Sequence, residues 1–92
     1  MVRFEWDEKK RITNLNHHGI DFADVHQVFD FDRYLFPDER FDYGEIRYVS
    51  IGLLFGEVVV ITHTETDELI RIISARKAER HEQEIYFKNI RD

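Results

Sequence analysis

Apolar positions along this chain recur with two different periods. Residues 2–6 alternate apolar and polar, as a short half-buried strand does. From Lys10 the run is polar, with Ile12 and Leu15 on the apolar side of a helix that Asp7 can cap and Gly19 can end. Asp21 can cap a second helix, in which Phe22, Val25, Val28 and Phe29 recur at helical spacing. Residues 30–45 hold the only proline, Pro37, and follow neither period; they read as a loop with a short strand at 34–36. Strand-type runs at 46–54 and 57–64 flank Phe55-Gly56, a two-residue hairpin turn. A second turn at 66–68 leads into a strand at 69–74. Residues 78–89 are rich in Glu, Arg, Gln and Lys and favour a helix. The pattern predicts one α+β domain over residues 1–92, a small antiparallel sheet with two N-terminal helices and one C-terminal helix.

Hairpin registers sort the strand residues by face. Centring the first turn on Phe55-Gly56 sets Leu53 against Val58, Ile51 against Val60 and Tyr48 against His63. Centring the second on Asp67 sets His63 against Arg71 and Ile61 against Ile73. One face then carries Val49, Ile51, Leu53, Val58, Val60, Ile70 and Ile72 and calls for a helical cover. The other is mixed, with Tyr48, Ser50, Gly52, His63 and Arg71 beside Val59, Ile61 and Ile73, and is expected to be the uncovered, functional one. A one-residue slip in the second turn would send Arg71 to the side opposite His63.

Composition narrows the function classes. With no cysteine, neither a disulfide framework nor a thiolate zinc site is available. The apolar runs are strand-sized and too short to span a bilayer, and residues 1–11 are too charged for a signal peptide, so a reducing cytoplasm is expected. The net charge is −6, and residues 21–45, with eight acids against two arginines, carry all of it. The remainder is neutral in sum and leaves room for a cationic patch; the acidic stretch either solvates a loop or faces a basic partner.

The cations gather late in the chain. Arg71, Arg76, Lys77 and Arg80 form the densest cluster, and guanidinium forks match phosphate oxygens. Arg80 reads rather as part of a solvated first helical turn. His63 can exchange a proton near neutral pH, or can be a half-buried histidine bonded to a neighbouring strand. Glu65 lies at the same strand end. Glu82 and Tyr86 share a helix face, where Tyr86 can donate a proton, stack on a base or simply pack. His17 and His18 fall at a helix end and read as capping groups. No HExxH or HxH pattern, Gly-rich phosphate loop or nucleophile elbow is present, so no metal or cofactor is expected.

Several of these stretches together carry a resemblance. They are Phe4-Glu5-Trp6-Asp7, Lys10, Asn14, His18-Gly19-Ile20 with Phe22, Val28-Phe29-Asp30, Gly44-Glu45 and Arg47, then His63-Thr64-Glu65, Arg71-Ile72-Ile73-Ser74-Ala75-Arg76, Ala78, Glu82 and Tyr86. In these the chain resembles the BrnT toxins of bacterial type II toxin–antitoxin systems. The resemblance implies a RelE-like fold and RNA cleavage without a metal, which shuts down translation. It also implies neutralisation by a BrnA-type antitoxin in a heterotetramer, with operator DNA reached only through the antitoxin. Catalytic roles would fall to His63, Glu65, Arg71, Arg76 and Tyr86. Lys10, Tyr48, Ser74, Lys77, Arg80 and Glu82 would hold substrate. The RNA 2′-hydroxyl would attack the adjacent phosphate, with His63, Glu65 or Tyr86 as base and Arg71 and Arg76 stabilising the phosphorane. One departure is the last helix, where Glu79, Glu82 and Glu84 stand and relatives look more basic. The alternative function is a non-catalytic module that partners a DNA-binding regulator.

Overall fold

A computed structural model describes residues 2–40, 42 and 44–90. In chain order the elements are β1 (Arg3–Trp6), α1 (Glu8–His18), a 3₁₀ helix (Phe22–Asp30), β2 (Tyr34–Pro37), β3 (Tyr48–Leu54), β4 (Glu57–Glu65), β5 (Leu69–Lys77) and α2 (Arg80–Asn89). The five strands form one sheet in the order β1-β5-β4-β3-β2. All neighbours are antiparallel except β1, which runs parallel to β5. The short strand expected within the 30–45 loop is β2, and its Pro37 sits on an edge strand, where a missing N–H is tolerated. Phe41 and Tyr43 of that loop lie outside the described residues.

Local chemistry explains the helices. The Asp7 carboxylate accepts from the amides of Lys9 and Lys10, and Gly19 ends α1 with a left-handed φ of 72°. The second helix winds as a 3₁₀ helix, for which the spacing of Phe22, Val25 and Val28 supplies a reason. Residues three apart align at three residues per turn, and these three are buried in line. At the first hairpin both Phe55 (φ 52°) and Gly56 (φ 82°) adopt positive φ, which matches the strand twist.

Both faces of the sheet are covered. On one, the 3₁₀ helix packs Phe22, Val25 and Val28 onto Leu54, Val59, Ile61, Ile70, Ile72 and Ala75. On the other, Tyr86 of α2 with Ala78 and Ile85 packs onto Val49, Ile51, Val58 and Val60. The mixed face expected to be open is therefore closed. Gly52 allows this: a Cβ there would lie 2.7 Å from Cγ1 of Val28, so only glycine lets the 3₁₀ helix sit this close.

The first hairpin has the expected register, with Tyr48 opposite His63 and Leu53 opposite Val58. The second does not. His63 pairs with Ile72 and Thr62 with Ser74, so Ile73 is an extra residue in a β-bulge. Arg71 pairs with Thr64 instead and projects to the side opposite His63. β5 also runs on through Ala75, Arg76 and Lys77, which were expected in a bend after the strand. Because β1 pairs only with residues Leu69 to Ile72, the last part of β5 has no strand on its outer side.

α1 lies along that open side, and its attachment is polar. Ile12 and Leu15, expected on the buried face, are 49% and 38% exposed. Asn14 is the buried residue of the helix. Its Nδ2 donates to the Ile20 carbonyl (3.0 Å), and its Oδ1 accepts from the amide of Ala75 (3.1 Å), two residues past the bulge.

Candidate active site

The expected meeting of guanidinium groups with His63 does not occur. His63 is fully buried, with the Phe29 ring edge-on at 5.0 Å. Arg33 donates to Ser50 Oγ (2.7 Å), the Ser50 hydroxyl donates to His63 Nε2 (2.7 Å), and Nδ1 donates to the Thr64 carbonyl (3.2 Å). The roles given to the two ring nitrogens are those of a neutral imidazole, the form that burial favours. Burial pushes the His63 pKa down, against the opposing pull of the Thr64 carbonyl and the Glu65 charge. Glu65 is ion-paired to Arg33 at 3.1 Å, and its other oxygen is buried without a hydrogen bond, 3.6 Å from His63 Nδ1. Arg33 also lies over the Phe29 ring at 4.5 Å. This network ties β3 and β4 to the segment before β2 and leaves His63 with no exposed surface.

Other expected residues separate as well. Arg71 Nη2 stands 2.7 Å from both carboxylate oxygens of Glu45. Arg76 lies five positions further along β5, on the order of 15 Å of strand, and is engaged by Glu82, so the two guanidinium groups stand on different carboxylates and do not converge. Tyr86 packs in the core, and desolvation raises its pKa. Tyr48 stacks on His63 at 6.2 Å and belongs to the closed side. Arg80 is a solvated residue paired with Glu84 at 3.7 Å.

Arg76, Ser74 and Glu82 do come together. The Arg76 fork meets the Glu82 carboxylate in two parallel 2.8 Å bonds, and Glu82 also accepts from the Glu79 amide at the start of α2. Arg76 raises its own affinity for the proton through this pair and holds the Glu82 pKa below the ordinary carboxylate value. Glu82 is thus a fixed anion that orients the guanidinium. Counting the bond from Nη1 to the Lys77 carbonyl, Arg76 spends three of its five donors, and its side chain is 39% exposed. Ser74 and Thr62 face each other across the strands on the floor of a cleft of about 310 Å³, which Arg76, Glu82 and Arg40 border.

Arg76 also borders a second depression, on the open side of β5. Lys9, Lys10, Thr13, His17, His18 and Ile73 line its first part, about 290 Å³. Its continuation, about 530 Å³, runs past His17 and His18 to Arg76, Lys77 and Glu79. Among the described residues Lys9 and Lys10 have no ion-pair partner, and Lys77 pairs with Glu57 at 3.3 Å between two exposed side chains. The strip is cationic in a chain that is acidic overall. Sequence reasoning missed Lys9, Thr13, His17 and His18, although a signal was there: Lys10, Thr13, Asn14 and His17 fall at i, i+3, i+4 and i+7, one helix face turned to the sheet edge.

Glu79, His81 and Glu82 bring ligand-type atoms within 4.8 Å of one another. Glu82 is already engaged by Arg76 and the Glu79 amide, so this group reads as the start of a helix rather than a metal centre.

Comparison with known proteins gives the geometry its context. A family profile described as "Ribonuclease toxin, BrnT, of type II toxin-antitoxin system" matches residues 6–82. The crystal structure of the Brucella abortus ribonuclease toxin BrnT superposes with a TM-score of 0.70 at 32% identity, covering 87% of this chain and all of that one. No curated protein matches the chain. The two share one fold, which in this chain is an α+β arrangement of a mostly antiparallel five-stranded sheet with three helices. The chain belongs to the BrnT family of ribonuclease toxins of type II toxin–antitoxin systems.

Proposed function

We propose that this RNA-cleaving toxin works without a metal and binds its substrate along the open side of β5, with Arg76 at the centre. The observation that carries the reading is the position of Arg76. It borders both the hydroxyl-floored cleft and the cationic groove, and Glu82 holds its fork in place with two donors to spare. A phosphate at that point would have Lys77 beside it and Lys9 and Lys10 further along the groove. The 2′-hydroxyl attacks the adjacent phosphorus, the bond to the 5′-oxygen breaks, and a cyclic phosphate and a 5′-hydroxyl result. Arg76 stabilises the charge that grows on the phosphorane. Cleavage in the cytoplasm shuts down translation.

The antitoxin, in this reading, is a DNA-binding protein of the BrnA type that forms a heterotetramer with the toxin and alone touches operator DNA. The acidic segment of residues 21–45 suits a basic partner surface.

The test is labelled RNA incubated with purified protein in EDTA. Cleavage to cyclic-phosphate ends is expected, with a loss of about 10²–10³-fold in Arg76→Ala that Arg76→Lys only partly restores. A folded Arg76→Ala protein as active as wild type refutes the site, and cleavage that needs added divalent metal refutes the mechanism.

A further inference from the structure

Proton transfer in this reaction needs two groups, one to take the 2′-hydroxyl proton and one to give a proton to the departing 5′-oxygen. The carboxylates, phenol and imidazole expected for these roles are committed elsewhere. His63 is sealed beneath the 3₁₀ helix, Glu65 is paired with Arg33, Glu82 is locked on Arg76, and Tyr86 is core. Beside the ammonium groups of Lys9 and Lys10, unpaired among the described residues, two imidazoles at the groove remain uncommitted. His17 and His18 are both exposed at the end of α1, and both border both parts of the groove, the one that holds Lys10 and the one that holds Arg76.

We propose that His17 and His18 are the acid–base pair of the ribonuclease, acting on a phosphodiester held between α1 and the open side of β5. The inference rests on the substrate path proposed above and adds the groups that move protons along it. The two rings stand 6.2 Å apart between centroids and are tilted by 59°. In-line displacement puts the attacking and leaving oxygens on opposite sides of one phosphorus. Two imidazoles separated by several ångströms, each within hydrogen-bond reach of one oxygen, fit that demand, and a single imidazole does not. One ring, neutral, takes the proton of the 2′-hydroxyl as that oxygen bonds to phosphorus. The other, protonated, gives its proton to the 5′-oxygen as the P–O5′ bond breaks. The electron pairs stay with the oxygens, and no further reactant is needed.

The charged groups facing the pair are Lys9 and Lys10 from α1, Arg76 and Lys77 from β5, and Glu79 from the turn into α2. Glu82 stands behind Arg76 and Glu57 beside Lys77, so the charge left for a phosphate comes from Lys9 and Lys10, with the spare donors of the Arg76 fork. Asn14 sets the register of α1 on β5 through the Ala75 amide, and so fixes how far the histidines stand from Arg76.

The experiment measures initial cleavage rates of a short single-stranded RNA, in EDTA, from pH 5 to pH 9, for wild type, His17→Gln, His18→Gln and the double variant. Each single change is expected to cost about 10²–10⁴-fold and to remove one limb of a bell-shaped profile. An RNA with sulfur in place of the bridging 5′-oxygen needs no proton on its leaving group, so it should restore the rate of the variant lacking the acid and not of the other. A double variant that cleaves at the wild-type rate with an unchanged pH profile overturns the assignment and leaves the ribonuclease reading standing. So does a slowed variant whose profile keeps both limbs and whose rate the sulfur substrate restores in neither case. Wild-type protein that leaves the RNA intact overturns the substrate path and this pair together.

Discussion

Replacing Asn14 by alanine should cost this domain a large part of its stability through two hydrogen bonds alone. Asn14 satisfies two buried backbone groups at once: the Ile20 carbonyl, where the chain leaves α1, and the Ala75 amide, which no strand can reach. Both lie in protected surroundings, since Ala75 is fully buried and Ile20 is 6% exposed. An orphaned buried donor or acceptor costs about 1–3 kcal/mol, so losing both partners is worth roughly 2–6 kcal/mol, with water entry favouring the low end. Against a total stability of about 5–15 kcal/mol for a domain of this kind, the loss is severe. At about 4–8 °C per kcal/mol, the melting midpoint should drop by at least about 8 °C. Urea unfolding followed through the single tryptophan, Trp6, on β1 next to β5, measures it. Asn14→Asp separates the two bonds. Its carboxylate still accepts from the Ala75 amide but opposes the Ile20 carbonyl, and protonation at low pH turns it into a donor. That variant should therefore regain stability relative to wild type as the pH falls. An Asn14→Ala protein within about 0.5 kcal/mol of wild type would refute the polar tether.

Gly52→Ala should destabilise by about 1–3 kcal/mol in the same assay, because the new methyl meets Cγ1 of the fully buried Val28 at 2.7 Å; an unchanged midpoint would mean that the 3₁₀ helix is not seated this closely. His63, held neutral by burial, should make the fold weaken in mild acid. The unfolded chain takes up a proton on this side chain as the pH falls through about 6.5, while the folded chain does so only at lower pH, so stability is lost between those values. His63→Gln should flatten that part of the stability–pH curve, and an equal slope in both proteins would show that the acid sensitivity arises elsewhere. Arg71→Ala should leave RNA cleavage within about tenfold of wild type, against the loss of about 10²–10³-fold expected for Arg76→Ala. Equal losses in the two would place the phosphate near Arg71 instead.

Much of the fold was legible because its signals are local. Asp7, Gly19 and Asp21 announce the helix ends, Phe55-Gly56 announces the hairpin, and each does so through chemistry confined to a few residues. The first hairpin register followed from its tight turn. What stayed hidden depends on partners distant in sequence. The bulge at Ile73 has no marker in the run Arg71-Ile72-Ile73-Ser74, since alternating and bulged pairings of such a run look alike. One inserted residue then separated Arg71 from His63. The cover over the second face was hinted at by Gly52, which reads as a weak strand residue until Val28 is placed above it. Pairing of Arg33 with Ser50 and Glu65 joins positions many residues apart, and no spacing rule reaches that far.

The residues that carried the family resemblance divide, in three dimensions, into two groups with different work. Asn14, Phe22, Val28, Phe29, His63, Ala75 and Tyr86 hold the layers together. Lys10, His18 and Arg76 line the groove, with Glu82 fastening Arg76. A motif read in one dimension cannot tell these apart, because an imidazole that anchors a core and one that moves a proton are the same letter. Burial separates them. His63 has every polar atom satisfied from within the protein and is fully buried, whereas His18 faces the groove and has no hydrogen-bond or ion-pair partner among the described residues. The Arg-Ile-Ile-Ser-Ala-Arg run is thus best understood as a device for two tasks. Its bulge leaves the Ala75 amide free for Asn14, which draws α1 to the open side of β5. The same extension of the strand carries Arg76 to the point where that helix ends.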